Sequence, residues 1–154
     1  MKNIITLILA IALISCSSDD DNYNDDNTPV FEPVHVEFTT IGKGTTGVFG
    51  NISASNLFIT NENDWINLLN QVSTNGSVSL DFFSTTDVDF NTSYVVAVFL
   101  DIKPNRWLVE ITEIIECESS IVVSIYDFPQ IGDAITQPFH IVKIPNTDKP
   151  IVFE

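Results

Sequence analysis

Residues 94–100 read Tyr94-Val95-Val96-Ala97-Val98-Phe99-Leu100, a run without a charge and rich in β-branched and aromatic side chains. It is too continuously apolar for a strand with one face in water and too short to cross a membrane. It therefore reads as a strand buried on both faces. The residues after it supply further strands that can pair beside it, and the residues before it hold the one strong helix signal.

Downstream, Lys103-Pro104-Asn105-Arg106 makes a turn. Residues 107–112 then alternate, with Trp107, Val109 and Ile111 facing one way and Glu110 and Thr112 the other, before the pattern breaks at Ile114-Ile115. A short connection leads to residues 121–128, which completes a hairpin. Residues 137–144 form another strand ended by Pro145, and Ile151-Val152-Phe153 adds a short edge.

Upstream, Trp65, Leu68, Leu69 and Val72 fall at i, i+3, i+4 and i+7, one apolar stripe of a helix over residues 62–72. Thr60-Asn61-Glu62-Asn63-Asp64 provides capping side chains and first-turn acids, and Asn75-Gly76 provides the turn that ends it. Trp65 reads as the anchor that packs this helix on the sheet. Residues 34–41, V-H-V-E-F-T-T-I, start in alternation and read as the first strand. Gly42, Gly44, Gly47 and Gly50 mark a turn or bulge after it, and residues 77–93 read as a loop anchored by Phe82, Phe83 and Phe90. The expected fold is α+β: a single β-rich domain over residues 34–154, mainly antiparallel, with one packed helix.

The N-terminus determines where the protein resides. Residues 1–15 carry a short basic start (Lys2) and an apolar stretch from Ile4 to Ile14. As a helix that stretch rises only about 16 Å, against a hydrocarbon core of about 30 Å, so it reads as a signal peptide. Leu13-Ile14-Ser15-Cys16 resembles a lipobox, which implies cleavage before Cys16 and lipidation of its sulfur. Several acyl chains on one residue supply the multiple-chain anchoring that a single chain cannot. Residues 16–33, the lipidated cysteine and an Asp- and Asn-rich run, read as a disordered acidic tether. Serine and acids directly after the cysteine resemble the surface-export signal of Bacteroidetes lipoproteins. The expected location is the bacterial cell envelope, lipid-anchored at the outer membrane and facing outward.

Net charge is −15, from 21 acidic and 6 basic residues. Binding phosphate needs clusters of Lys and Arg that are absent here, so nucleic acid and anionic lipid surfaces are disfavoured partners. Lipidation of Cys16 leaves Cys117 as the one thiol of the mature chain, with no intrachain disulfide expected. Glu116 and Glu118 flank Cys117 and disfavour the thiolate a nucleophile needs.

Other chemistry-bearing patterns fail on spacing. His35 and Glu37 place two metal ligands on one strand face, where zinc normally takes three or four protein ligands. Asp20, Asn22 and Asn24 begin like a calcium loop, but its glycine and glutamate positions hold Asp25 and Phe31. Gly42-Lys43 is followed by Gly44 and not by Ser or Thr, so no P-loop forms. His140 lies between Phe139 and Ile141 and shares a strand face with Val142 and Ile144, a packing environment. No catalytic residue, metal or cofactor is expected.

From about Phe38 to Pro145 the chain resembles the PrcB C-terminal domain family, named for a subunit of a surface protease complex. The resemblance rests on five pieces: the glycines of residues 42–50, the helix around Trp65, Val88-Asp89-Phe90, residues 94–100, and Pro138-Phe139-His140-Ile141-Val142-Lys143-Ile144-Pro145. It implies a lipid-anchored, non-catalytic subunit that stabilises or regulates a protease or another envelope protein. One departure stands out: where the family shows a Pro-Thr-Gly-Gly-Tyr type of turn, this chain has Pro104-Asn105-Arg106-Trp107.

That turn is the expected partner-binding site, through Lys103, Asn105, Arg106 and Trp107, because Arg and Trp are enriched at interface hot spots and scaffolded loops commonly bind. Two alternatives stand beside it: a small-ligand or glycan binder using exposed Trp107 and Tyr126, and a hydrolase using His140.

Overall fold

The computed structural model describes residues 30–46, 52–74 and 82–154. The signal peptide, Cys16, the tether with its calcium-like spacing, Gly47, Gly50 and the Asn75-Gly76 turn lie outside the described residues. The compact unit runs Phe31–Glu154. No helix among the described residues is long and apolar enough to cross a membrane.

Eight strands and one helix follow in order: β1 (Val34–His35), β2 (Thr39–Thr46), β3 (Ser55–Ile59), α1 (Glu62–Thr74), β4 (Ser93–Phe99), β5 (Trp107–Glu116), β6 (Ile121–Pro129), β7 (Gln137–Pro145) and β8 (Ile151–Phe153). They form two four-stranded sheets, ordered β1-β5-β6-β8 and β2-β7-β4-β3. Every pairing is antiparallel except β6 with β8. The domain is a β-rich α+β fold in three layers: helix, second sheet, first sheet.

The apolar run of β4 follows from those layers. Val95, Ala97 and Phe99 face the helix side, where they pack with Trp65, Leu68 and Val72 of α1. Val96 and Val98 face the first sheet and pack with Val109, Ile111, Ile114, Ile121 and Val123. Burying Leu68 or Val72 on folding contributes about 1.5–3 kcal/mol each. Asn61 caps α1, its Oδ1 accepting the Asp64 N–H at 3.0 Å. Trp65 is buried, and its Nε1–H donates to the Thr86 carbonyl at 2.8 Å. An aromatic row, Trp65, Phe83, Phe139 and Phe99, fills the helix-side core with successive centroids 6.3, 6.2 and 5.9 Å apart.

Three features differ from the sequence expectation. The first strand over residues 34–41 is two strands in different sheets: β1 pairs with β5, and after residues 36–38 the chain enters β2, which pairs with β7. Alternation is the same in either sheet, so the switch leaves no mark on it. Gly42 and Gly44 are not a turn but lie inside β2. A Cβ on Gly42 would sit 2.9 Å from Cε1 of Phe83, so the absent side chain makes room for the ring. Cys117 is buried and disulfide-bonded, where a lone thiol was expected.

Two bulges set how the sheets face each other. In β2 the register shifts between Thr40 and Gly42, so that Ile41 and Gly42 both lie on the helix side. In β5 it shifts between Ile111 and Glu113. The extra residue, Thr112, resets the alternation, so both Ile111 and Ile114 point inward. This is the physical origin of the broken pattern at Ile114-Ile115.

Candidate functional site

The turn after β4 is tied to the β6–β7 connection by backbone bonds. The Lys103 N–H donates to the Thr136 carbonyl at 2.8 Å, and the Thr136 N–H returns a bond to the Lys103 carbonyl at 3.1 Å. The Gln130 N–H donates to the Arg106 carbonyl at 2.7 Å, and the Arg106 N–H to the Gly132 carbonyl at 3.3 Å. Buried Thr136 adds a side-chain link: its hydroxyl donates to the Asn105 carbonyl at 3.1 Å and accepts the Trp107 N–H at 3.3 Å. Gly132 has φ +146°, a conformation L residues rarely adopt, and a Cβ there would lie 3.4 Å from Cβ of Arg106. The turn is held in one shape at one end of the sandwich.

The structure brings the four expected residues into this turn but gives them different roles. Arg106 and Asn105 are exposed. Trp107 is half-buried, and its Nε1–H donates to Oδ2 of Asp127 at 2.9 Å. Lys103 lies over the indole, its Nζ 5.2 Å from the ring centroid and 3.8 Å from the same Asp127 oxygen. Trp107, Lys103 and Asp127 thus satisfy one another. Arg106 is left with its guanidinium toward solvent.

Around this turn lie apolar side chains that sequence reasoning did not single out. Ile131 is 100% exposed, Ile135 60% and Ile102 52%. The signal was present as isoleucines in otherwise polar connections, at positions where strands cannot bury them. Together with Arg106 and the exposed carboxylates Asp101 and Asp133 they make a mixed apolar and charged end on a strongly acidic protein.

Tyr126 is 60% exposed and stacks on Phe128, with centroids 5.4 Å apart. Tyr126 pairs with Glu110 in β5, three residues from Trp107, so strand parity puts the two aromatics on opposite faces of the sheet. They do not form one platform.

His140 is 2% exposed and bonded on both ring nitrogens. The Ile111 N–H donates to Nδ1 at 2.7 Å. A neutral ring accepting there carries its proton on Nε2, which donates to Oγ1 of Thr40 at 2.9 Å. Burial, and then the charge of Lys43, hold its pKa down to about 4. Lys43 of β2 is bonded to Glu110 of β5, and that hydrogen bond keeps the Glu110 carboxyl below the usual range. His140 therefore joins the two sheets and presents no nitrogen to a substrate.

His35 pairs with Glu113 on the surface, Nδ1 to Oε1 at 3.2 Å, and not with Glu37. Among the described residues no group of three or more His, Cys, Asp or Glu side chains is arranged to hold a metal ion. No family model, curated protein or solved structure matches the chain.

Proposed function

We propose that this chain is a lipid-anchored, non-catalytic interaction module of the bacterial cell surface, an accessory or stabilising subunit of an envelope complex of the kind the PrcB resemblance implies. The carrying observation is the end of the sandwich at residues 101–107 and 130–136. There three exposed isoleucines lie in the same two tied connections as Arg106, on a turn pinned by Thr136. Exposed apolar groups grouped on a rigid scaffold, with an arginine among them, favour a protein partner. The lipobox-like Leu13-Ile14-Ser15-Cys16 and the acidic run after it support the anchored, tethered setting.

The experiment places a photo-crosslinking amino acid at Ile131 of the intact lipoprotein in its own envelope. One envelope protein is expected in the cross-link, and Arg106→Glu should remove it. Cross-linking to no protein overturns the reading. A second reading, glycan binding, draws on exposed Tyr126 stacked on half-buried Phe128 alone. It predicts sugar binding that Tyr126→Ala abolishes and Trp107→Phe leaves intact.

A further inference from the structure

The second sheet has an open edge beside the helix. β3 is its terminal strand, paired with β4 on one side and with no element on the other among the described residues. Which backbone groups face outward follows from the ladder. The Leu100 N–H donates to the Pro138 carbonyl at 3.0 Å, so even-numbered residues of β4 bond toward β7. The odd-numbered ones, Val95, Ala97 and Phe99, bond toward their β3 partners Ile59, Leu57 and Ser55. The N–H and C=O groups of Asn56 and Phe58 therefore point away from the sheet, about 7 Å apart, as an incoming strand requires.

Between this edge and α1 runs a groove of about 540 Å³. Leu57, Ile59 and Leu68 make its apolar side, and Asp64, Asn67 and Gln71 its polar rim. The four helix residues fall at i, i+3, i+4 and i+7, so a single stripe of α1 faces the groove along its length. Asp64 is the charged group among these six.

We infer that this groove binds an extended peptide segment of a partner protein, added as a further strand on the edge of β3 and covered by α1. Main-chain bonds to Asn56 and Phe58 supply affinity, and alternate side chains enter the groove. The apolar wall at Leu57 and Leu68 selects an apolar residue at every second position. Asp64, on a chain of net charge −15, selects a Lys or Arg at the helix end of the segment. A strand of five residues accommodates a segment of similar length. This site is separate from the turn at Arg106 and does not depend on what binds there.

The test pans phage-displayed random dodecapeptides on the full-length protein in detergent micelles, then measures synthetic copies by fluorescence polarisation. Enriched peptides should carry apolar residues at alternate positions with at least one Lys or Arg. Gln71→Trp, an exposed helix position that fills the groove, should raise Kd at least tenfold and leave the melting temperature unchanged. Asn56→Pro removes an outward N–H from an edge strand, where proline is tolerated, and should do the same. Asp64→Asn should erase the preference for basic residues. The inference is overturned if no peptide is enriched, or if enriched peptides bind Gln71→Trp as tightly as wild type. Peptides lost with Arg106→Glu but kept with Gln71→Trp belong to the turn and count against the groove.

Discussion

His140 on β7 accepts the backbone N–H of Ile111 on β5 at 2.7 Å, so a side chain of one sheet completes the backbone of the other at its bulge. That bond needs an unprotonated Nδ1. The folded pKa of about 4 lies below the ordinary 6.5, so between these values the unfolded chain binds more protons. The contribution of a neutral His140 is thus present above pH 6.5 and lost as pH falls toward 4, on the order of 3 kcal/mol in all. Glu110, whose carboxyl pKa is also lowered, loses its contribution in the same direction at lower pH. Urea unfolding at a series of pH values should show the loss. His140→Gln should be less stable at neutral pH and flatter between pH 6.5 and 4.

Gly42→Ala should destabilise the domain by about 1–3 kcal/mol, the usual cost of overpacking. The new methyl would meet Phe83 at 2.9 Å, and that ring sits between Trp65 and Phe139. Near-ultraviolet circular dichroism should change with the melting temperature. An unchanged melt would mean that the ring moves freely.

At the turn, stability and binding should separate by residue. Trp107→Ala removes a half-buried ring and its bond to Asp127, and should cost about 1–3 kcal/mol in chemical denaturation. Arg106→Ala and Ile131→Ser should leave stability within about 0.5 kcal/mol. Combined, they should weaken partner capture at least about tenfold, roughly 1.4 kcal/mol. Capture that survives both changes removes this end of the sandwich from the interface.

Cys16→Ala should abolish labelling by a palmitate analogue and release the protein from the membrane fraction. Intact mass under non-reducing conditions separates the two fates of the sulfur: a lipid thioether adds the mass of its acyl and glyceryl groups, while a disulfide removes two hydrogens. Labelling that persists in Cys16→Ala excludes the lipobox reading.

The buried strand was legible because both neighbours of β4 are apolar layers, so Val95 and Val96 alike had to be hydrophobic. The helix was legible because only one of its faces touches the sheet. Other features depend on long-range pairing that leaves no local pattern. Neither Val34 nor Thr39 records which sheet it joins, and Ile151-Val152-Phe153 reads the same whether it lies parallel or antiparallel to β6. The candidate turn was visible in composition at Arg106. Its apolar half at Ile131 and Ile135, and the groove beside β3, emerge only once the topology shows which connections stay exposed and which strand is terminal.

The sheet switch after β1 also shapes how the domain bears load. β1 is held by two paired residues, the His35–Glu113 pair, the Val36 N–H bond to Ile114 and the packing of Val36 and Phe38 on the core, whereas β2 is paired along its length with β7. A pull arriving through the chain ahead of Val34 therefore strains that short contact first. Its release would lengthen the leash by residues 34–38, about 17 Å when extended. The same release would draw Val36 and Phe38 off the core between the sheets, while β2 would stay paired with β7.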